Sequence, residues 1–347
     1  MARVRTLTQR ELNRAVLARQ LLLDRARSSL PKALERIGGI QAQYAPSMYI
    51  GLWSRLEGFE RDDLTRALER RTVVQGTLMR ATIHLVSADD YWPISLAIRR
   101  DRREQYLRSP RDVTEQQVSR AAKRLRAALA GGPMSRAEIQ DLLDKPSPQL
   151  FNGLGLWTDL VRVPPAGTWE RRRADIYAAA EEWLGAPEVD ERTGIEVLVR
   201  RYLSGFGPAS RKEIADWTGL PLGRIAPALE RLSLRSFQGE DGEELLDLPR
   251  ARLPDPETPA PVRFLPTWDA TLLAHARRTG ILPEEHRPRV FNAKTPHSMN
   301  TFLVDGAVAG TWKYEKGRVR LDGFRRFDAP TRRALNDEAE RLAALHA

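Results

Sequence analysis

The sequence contains no cysteine. That excludes disulfides, thiolate nucleophiles and cysteine-ligated zinc together. Histidine is scarce: His84, His275, His286, His297 and His346 are the five, and no two stand at the HExxH spacing of a zinc hydrolase. There is no GxxxxGK phosphate loop, and no apolar run approaches the roughly 18 residues of a membrane span. The opening residues, MARVRTLTQREL, lack the apolar stretch of a secretory signal. Lysine is rare too, at 7 of 56 basic residues, so the positive charge is almost all arginine. The expectation is a cytoplasmic protein with no cofactor and no metal.

What is present points to a polyanion. With 347 residues and 41% apolar content, the chain can bury two or three packed units. Its 56 basic and 46 acidic side chains give a formal net charge of +10. The corresponding pI is about 10.2, which favours nucleic acid as partner. The planar fork of arginine suits phosphate contacts.

An internal repeat organises the middle of the chain. GPMSRAEIQD at 132–141 returns as GPASRKEIAD at 207–216. In each copy a serine (Ser135, Ser210) precedes a glutamate (Glu138, Glu213) by three residues, the signature of a helix-opening capping box. Each follows an amphipathic helix, near 115–130 and 192–204, and each precedes a further helix and a hairpin-like stretch. The second hairpin turns at Asp241-Gly242. Helix, helix, helix, hairpin is the order of a winged helix. The N-terminal residues fit the same scheme, with helices over 8–28, from Pro31 to Gly38-Gly39 and from Pro46, and a hairpin over 73–87 with Met79-Arg80 near its tip. Arg19 falls in the apolar stripe of the first helix. It is either a buried guanidinium bound to a carboxylate or carbonyl, or a residue at the margin of a slightly rotated helix. A proline-rich linker covers 249–261, and alternating segments beyond it predict a small antiparallel sheet or barrel with a closing helix over 330–345. The expected architecture is therefore α+β, mainly α. Three tandem winged-helix modules (1–95, 112–185, 190–250) precede a C-terminal β-barrel with its helix (262–347).

The segment GGIQAQYAP (38–46) is the most unusual. It leads into the third helix, and in extended geometry Gln41 and Gln43 project to one side while Ile40 and Ala42 face the other. Two primary amides would then share one point, each offering donors and an acceptor. The same residues also read as polar turn residues capping the helix of Pro46.

Three strings, NRAVLARQLLLDR (13–25), GGIQAQYAPSMYIGLWSRL (38–56) and GTLMRATIHLVSADDYW (76–92), resemble the winged-helix DNA-binding family that contains the AlkZ and YcaQ DNA glycosylases. FLPTWDATLLAHARRTGILPEEHR (264–287) and FLVDGAVAGTW (302–312) look like that family's C-terminal region. With Gln43 where the YcaQ-like branch has Asp, the Gln-x-Gln pattern looks like that of the AlkZ-like branch. The resemblance implies that Gln41 and Gln43 are the catalytic pair, in a fold of three winged helices and a β-barrel around a basic channel. Neither amide titrates, so neither serves as a strong general base or an amine nucleophile. An N7-alkylated guanine is already cationic and its base leaves without a proton. The expected reaction is monofunctional hydrolysis of bulky cationic N7-alkylguanine adducts in double-stranded DNA, by a monomer. Unhooking of interstrand crosslinks and self-resistance to a DNA-alkylating natural product are the implied contexts.

Other candidates follow. Arg80 and His84 lie on the first hairpin, where His84 alternates with Ile83 and Leu85 and is either DNA-facing or a structural hydrogen-bonding histidine. Arg171, Arg172 and Arg173 sit at the tip of the second wing, as phosphate contacts or a solvated loop. The resemblance puts Arg277 and Arg278 near the channel, and Lys294 and His297 lie in an irregular loop suited to probing DNA. Tyr44 is close enough to the glutamines to support the site. Asp269 is expected to order a nearby arginine rather than to catalyse. The alternative function is a non-catalytic winged-helix DNA binder or regulator, because fold alone does not give activity.

Overall fold

Polar caps decide where the helices start. In the computed structural model, which describes residues 4–108, 113–274, 279–291 and 298–347, a short strand β1 (Thr6–Leu7) leads into α1 (Gln9–Arg19). Thr8 opens α1 with a capping box to Glu11. The helix is shorter than its apolar periodicity predicts. It stops at Arg19 because Leu21 takes a left-handed backbone (φ 58°), while the Gln20 amide is drawn inside to donate to the Ile37 and Gly205 carbonyls. Then come α2 (Leu30–Ile37), β2 (Ile40–Gln41), α3 (Ala45–Arg55), α4 (Arg61–Glu69), β3 (Val73–Thr77), β4 (Ile83–Ser87) and the long α5 (Ala88–Arg108).

The second unit runs α6 (Glu115–Leu129), β5 (Met134–Ser135), α7 (Arg136–Leu142), α8 (Pro148–Trp157), β6 (Leu160–Arg162), β7 (Ile176–Ala179) and α9 (Ala180–Leu184). The third runs α10 (Glu191–Phe206), α11 (Arg211–Thr218), α12 (Leu222–Arg231), β8 (Arg235–Gly239) and β9 (Glu244–Asp247). Ser135 and Ser210 make the same reciprocal capping box, with Glu138 and Glu213 respectively. The repeat therefore marks equivalent helix starts.

The units are not beads on a string. Six strands, in the order β2-β4-β3-β6-β7-β5, form one sheet, because β3 pairs with β6 through Gln75↔Arg162 and Gly76↔Val161. β1 lies parallel to β8 in a separate three-stranded sheet. The charged run 99–108 is more than a solvated face: Arg99 pairs with Asp159, Arg102 donates to the Thr77 carbonyl and Arg103 to that of Leu156.

The C-terminal part holds β10 (Arg263–Leu265), α13 (Arg287–Val290), β11 (Thr301–Val304), β12 (Ala307–Glu315), β13 (Arg318–Gly323) and α14 (Ala329–His346). Among the described residues its four strands, ordered β10-β11-β12-β13, form an open sheet, and the expected closed barrel is not found. Four strands are too few to close on themselves, since even the compact OB-type barrel uses five. Here Leu335, Ala339 and Leu342 of α14 cover Phe264, Phe302 and Trp312 instead.

Many arginines serve as internal fasteners. Arg14 is fully buried and reaches Asp305, Thr258 O and Asn13. Arg19 donates to both oxygens of Asp247 (2.7 and 2.9 Å) and to Leu203 O (2.8 Å). Of the two sequence readings for Arg19, the buried, carboxylate-bound guanidinium is the one observed.

Candidate active site

The glutamine segment is an edge of the six-stranded sheet. Gly38 and Gly39 both take left-handed backbone (φ 80° and 81°) to end α2 and turn into β2. Ile40 pairs with Leu85 and Gln41 with His84, and Ala42 N–H donates to Ile83 O at 2.7 Å. The regular strand ends at Gln41 and the chain bends at Gln43 and Tyr44. The extended run assumed from sequence is thus interrupted. A side chain continues the pairing instead: Ile83 N–H donates to Gln43 Oε1 at 3.0 Å, where an unbroken ladder would use the carbonyl of Ala42. That bond fixes which end of the Gln43 amide faces outward, namely its NH2. Gln41 is buried, at 8% exposure, whereas Gln43 is exposed. The Gln43 amide is thus held by Ile83, and Gln41 stands opposite the adjacent His84 by backbone register, its own side-chain amide making no hydrogen bond among the described residues.

His84, directly opposite Gln41, is 3% exposed; of its two sequence readings, DNA-facing or structural, this burial fits the structural, hydrogen-bonding one. The alternation argument assumed one wet face, but both faces of this sheet are covered. Val74 and Val86 belong to one apolar cluster, Val73 and Leu85 to another. His84 Nδ1 lies 3.0 Å from Thr82 O, which it reaches as donor. Burial first, and then the charges of Arg80 and Arg102, push its pKa down to about 3. It is neutral at physiological pH. Because the folded value lies below the ordinary 6.5, the unfolded chain binds the extra proton, and stability falls as pH drops from 6.5 toward 4. His346, lowered to about 4 chiefly by burial, acts in the same direction. The slope expected for His84 is about 1 kcal/mol per pH unit. Urea midpoints measured from pH 7 to 4.5 should decline less steeply in His84→Asn; an equal decline would rule out a buried neutral His84.

Long-range packing delivers the second wing to the same place. Thr168 N–H donates to Arg171 O and Gly167 N–H to Arg173 O, closing a tight hairpin tip. The Gln75 amide of β3 donates to Gly167 O at 2.8 Å and anchors that tip. Gly167 is required there: its φ is +71°, and a Cβ would meet the Gln75 amide at 2.9 Å. Arg172 consequently donates to Tyr44 Oη at 2.9 Å, with its guanidinium 5.9 Å from the Tyr44 ring and 6.0 Å from that of Trp169. Tyr44 remains 42% exposed. Arg171 and Arg173 both turn to Asp175, at 3.2 and 3.5 Å, and stay accessible.

The other candidates divide. Arg80 stands at the hairpin tip in left-handed backbone (φ 51°) and donates to Trp217 O, which joins the tip to α11. Arg19 and Asp269 are structural. Asp269 receives both Arg55 nitrogens, Nη2 at 2.8 Å and Nη1 at 2.9 Å. Burial would raise its carboxyl, but the Arg55 charge and the bonds from Arg55 and Thr271 hold it below the usual range. Arg277, Arg278, Lys294 and His297 lie outside the described residues. Sequence reasoning missed Trp169, Arg61 and His346. Trp169 meets Tyr49 edge-on at 5.5 Å and His346 at 5.0 Å, with Arg61 5.2 Å from its ring. The available signal was a tryptophan directly before the ERRR run. No group of three or more His, Asp or Glu able to hold a metal occurs among the described residues.

The family described as DNA glycosylase AlkZ-like matches residues 34–345. An interstrand DNA cross-link repair glycosylase from Streptomyces sahachiroi is 23% identical over 354 residues, covering 94% of this chain and 93% of that protein. The solved structure of Streptomyces sahachiroi DNA glycosylase AlkZ superposes with a TM-score of 0.82 at 18% identity, covering 99% of this chain and 98% of that one. The fold is shared with it. The chain belongs to the AlkZ-like family of DNA glycosylases, hydrolases acting on N-glycosyl bonds.

Proposed function

We propose that this glycosylase hydrolyses the N-glycosidic bond of bulky, cationic N7-alkylguanines in duplex DNA, with Gln41 and Gln43 as its catalytic pair. The observation that carries the reading is that the two glutamines stand against neighbouring residues of β4, Gln43 through its side-chain oxygen and Gln41 through its backbone register, and neither side chain touches a carboxylate among the described residues. Such a site has no strong base and suits a leaving group that needs no proton. Gln41 accepts a hydrogen from the attacking water, and the outward NH2 of Gln43 donates to the DNA or the leaving base. As the C1′–N9 bond breaks, its electron pair returns to N9 and neutralises the base. Water adds to C1′ and loses its proton to solvent. The oxygen dipole of the Gln41 amide favours the oxocarbenium-like sugar. Arg172, Arg171 and Arg173 hold flanking phosphates, and Tyr44 walls the site.

A crosslink anchored through guanine N7 presents the same cationic bond, so unhooking is one more round of the same hydrolysis. The name of the Streptomyces relative supports this extension. The protein acts as a monomer, and its helical units are read as three winged-helix modules presented to one duplex. The test is a panel of duplexes carrying N7-alkylguanine, uracil or hypoxanthine. Release of the cationic base should exceed that of the neutral ones by at least about 100-fold; comparable release of uracil or hypoxanthine overturns the mechanism.

A further inference from the structure

The proline-rich stretch 249–261, which reads as a linker, is packed against α1. Arg10 donates to Pro256 O and Arg14 to Thr258 O, each from Nε. With α2 and α10, this stretch walls a cleft of about 880 Å³. Arg36, Arg200, Arg250 and Arg252 line it, together with Asp24 and Asp255. All four arginines are exposed. The buried arginines are all engaged: Arg14, Arg19 and Arg55 each meet a carboxylate, and Arg263 donates to the carbonyls of Val262 and Leu23. None of the four cleft arginines has a carboxylate partner among the described residues, and the Arg36 guanidinium makes there only a 3.3 Å bond to Ala18 O.

Folding gives no reason to converge four unpaired guanidiniums from three separate segments, because their mutual repulsion opposes it. A polyanion relieves that repulsion, and guanidinium forks fit phosphate oxygens bidentately. We infer that the cleft between α2, α10 and the 249–258 segment is a second DNA contact, holding phosphodiesters of duplex flanking the lesion. Its two aspartates lower the local charge without neutralising it, which suits a contact that must release and rebind along DNA. The inference does not depend on which base is removed.

The experiment uses the full-length protein and an undamaged duplex, measuring dissociation constants across a salt series. Each phosphate contact contributes about 0.9 to the slope of log K against log salt. Arg200→Ala/Arg252→Ala should therefore reduce the slope by about 1.8. Arg200→Lys/Arg252→Lys, which keeps the charge, should hold the wild-type slope, as should Arg333→Ala on exposed α14. An unchanged slope in the alanine pair overturns the inference. So does an equal fall in the lysine pair, or in Arg333→Ala, since either would show that the cleft's own charge is not what DNA meets. Because the duplex is undamaged, a failure of the N7-alkylguanine reading leaves this result untouched.

Discussion

Asp269→Ala is expected to lower the unfolding free energy by about 3–5 kcal/mol, the range for removing one partner of a buried ion pair. Asp269 and Arg55 have side-chain exposures of 3% and 2%. The pair is a junction. Asp269 follows β10, Arg55 ends α3, and Arg55 also donates to Gln20 Oε1, whose amide in turn holds α2 and α10. Without the carboxylate, Arg55 is a charge with no counterion in an interior that water does not reach. Its Nε already lacks a partner. The size of the loss reflects that stranded charge, not the worth of the pair, so Arg55→Leu/Asp269→Leu should cost much less than the sum of the single changes. Urea unfolding of the four proteins settles it, and additive losses would show that the pair does not couple. The pH dependence has a definite sign. The folded pKa of Asp269 lies below its unfolded value, so its stabilisation is complete above about pH 4 and is lost as pH falls through the folded value.

Local rules made much of this fold legible. The capping boxes at Thr8, Ser135 and Ser210, the turn at Asp241-Gly242 and the closing helix all follow from residues within four positions of one another. Arg19 was legible in part, since its place in an apolar stripe left only a buried, paired guanidinium or a residue at the margin of a rotated helix. What stayed hidden depends on contacts between distant segments. Two apolar clusters from distant segments cover both faces of the first hairpin, and for that reason alternation could not decide between the two readings of His84. The Tyr44–Arg172 bond spans 128 positions of sequence. Arginine content also misled in part: a count cannot separate fasteners such as Arg14 from unpaired groups such as Arg200. At the site, the sequence singled out the glutamines but could not reveal that Gln43 would replace a backbone carbonyl.

Gln41→Ala and Gln43→Ala are each expected to reduce single-turnover release of an N7-alkylguanine by about 100-fold or more, the scale for losing one preorganised polar group at a reacting centre. The two residues should fail differently. The Gln41 side chain has no hydrogen-bond partner among the described residues, so its loss removes only what it does for the reaction. The Gln43 oxygen is already held by Ile83 N–H, so alanine removes both a structural acceptor and an outward donor. Gln43→Glu separates these. A carboxylate can still accept from Ile83 N–H but has no amide hydrogen to offer. If the NH2 does the work, Gln43→Glu should be as slow as Gln43→Ala while unfolding at a wild-type urea midpoint. If the ladder bond is the whole contribution, Gln43→Glu should recover most of the rate, and the donor role assigned to Gln43 falls. Because the two amides act on one bond-breaking event, the double alanine variant should be little slower than the worse single one. Fully multiplicative losses would mean that they act in separate steps.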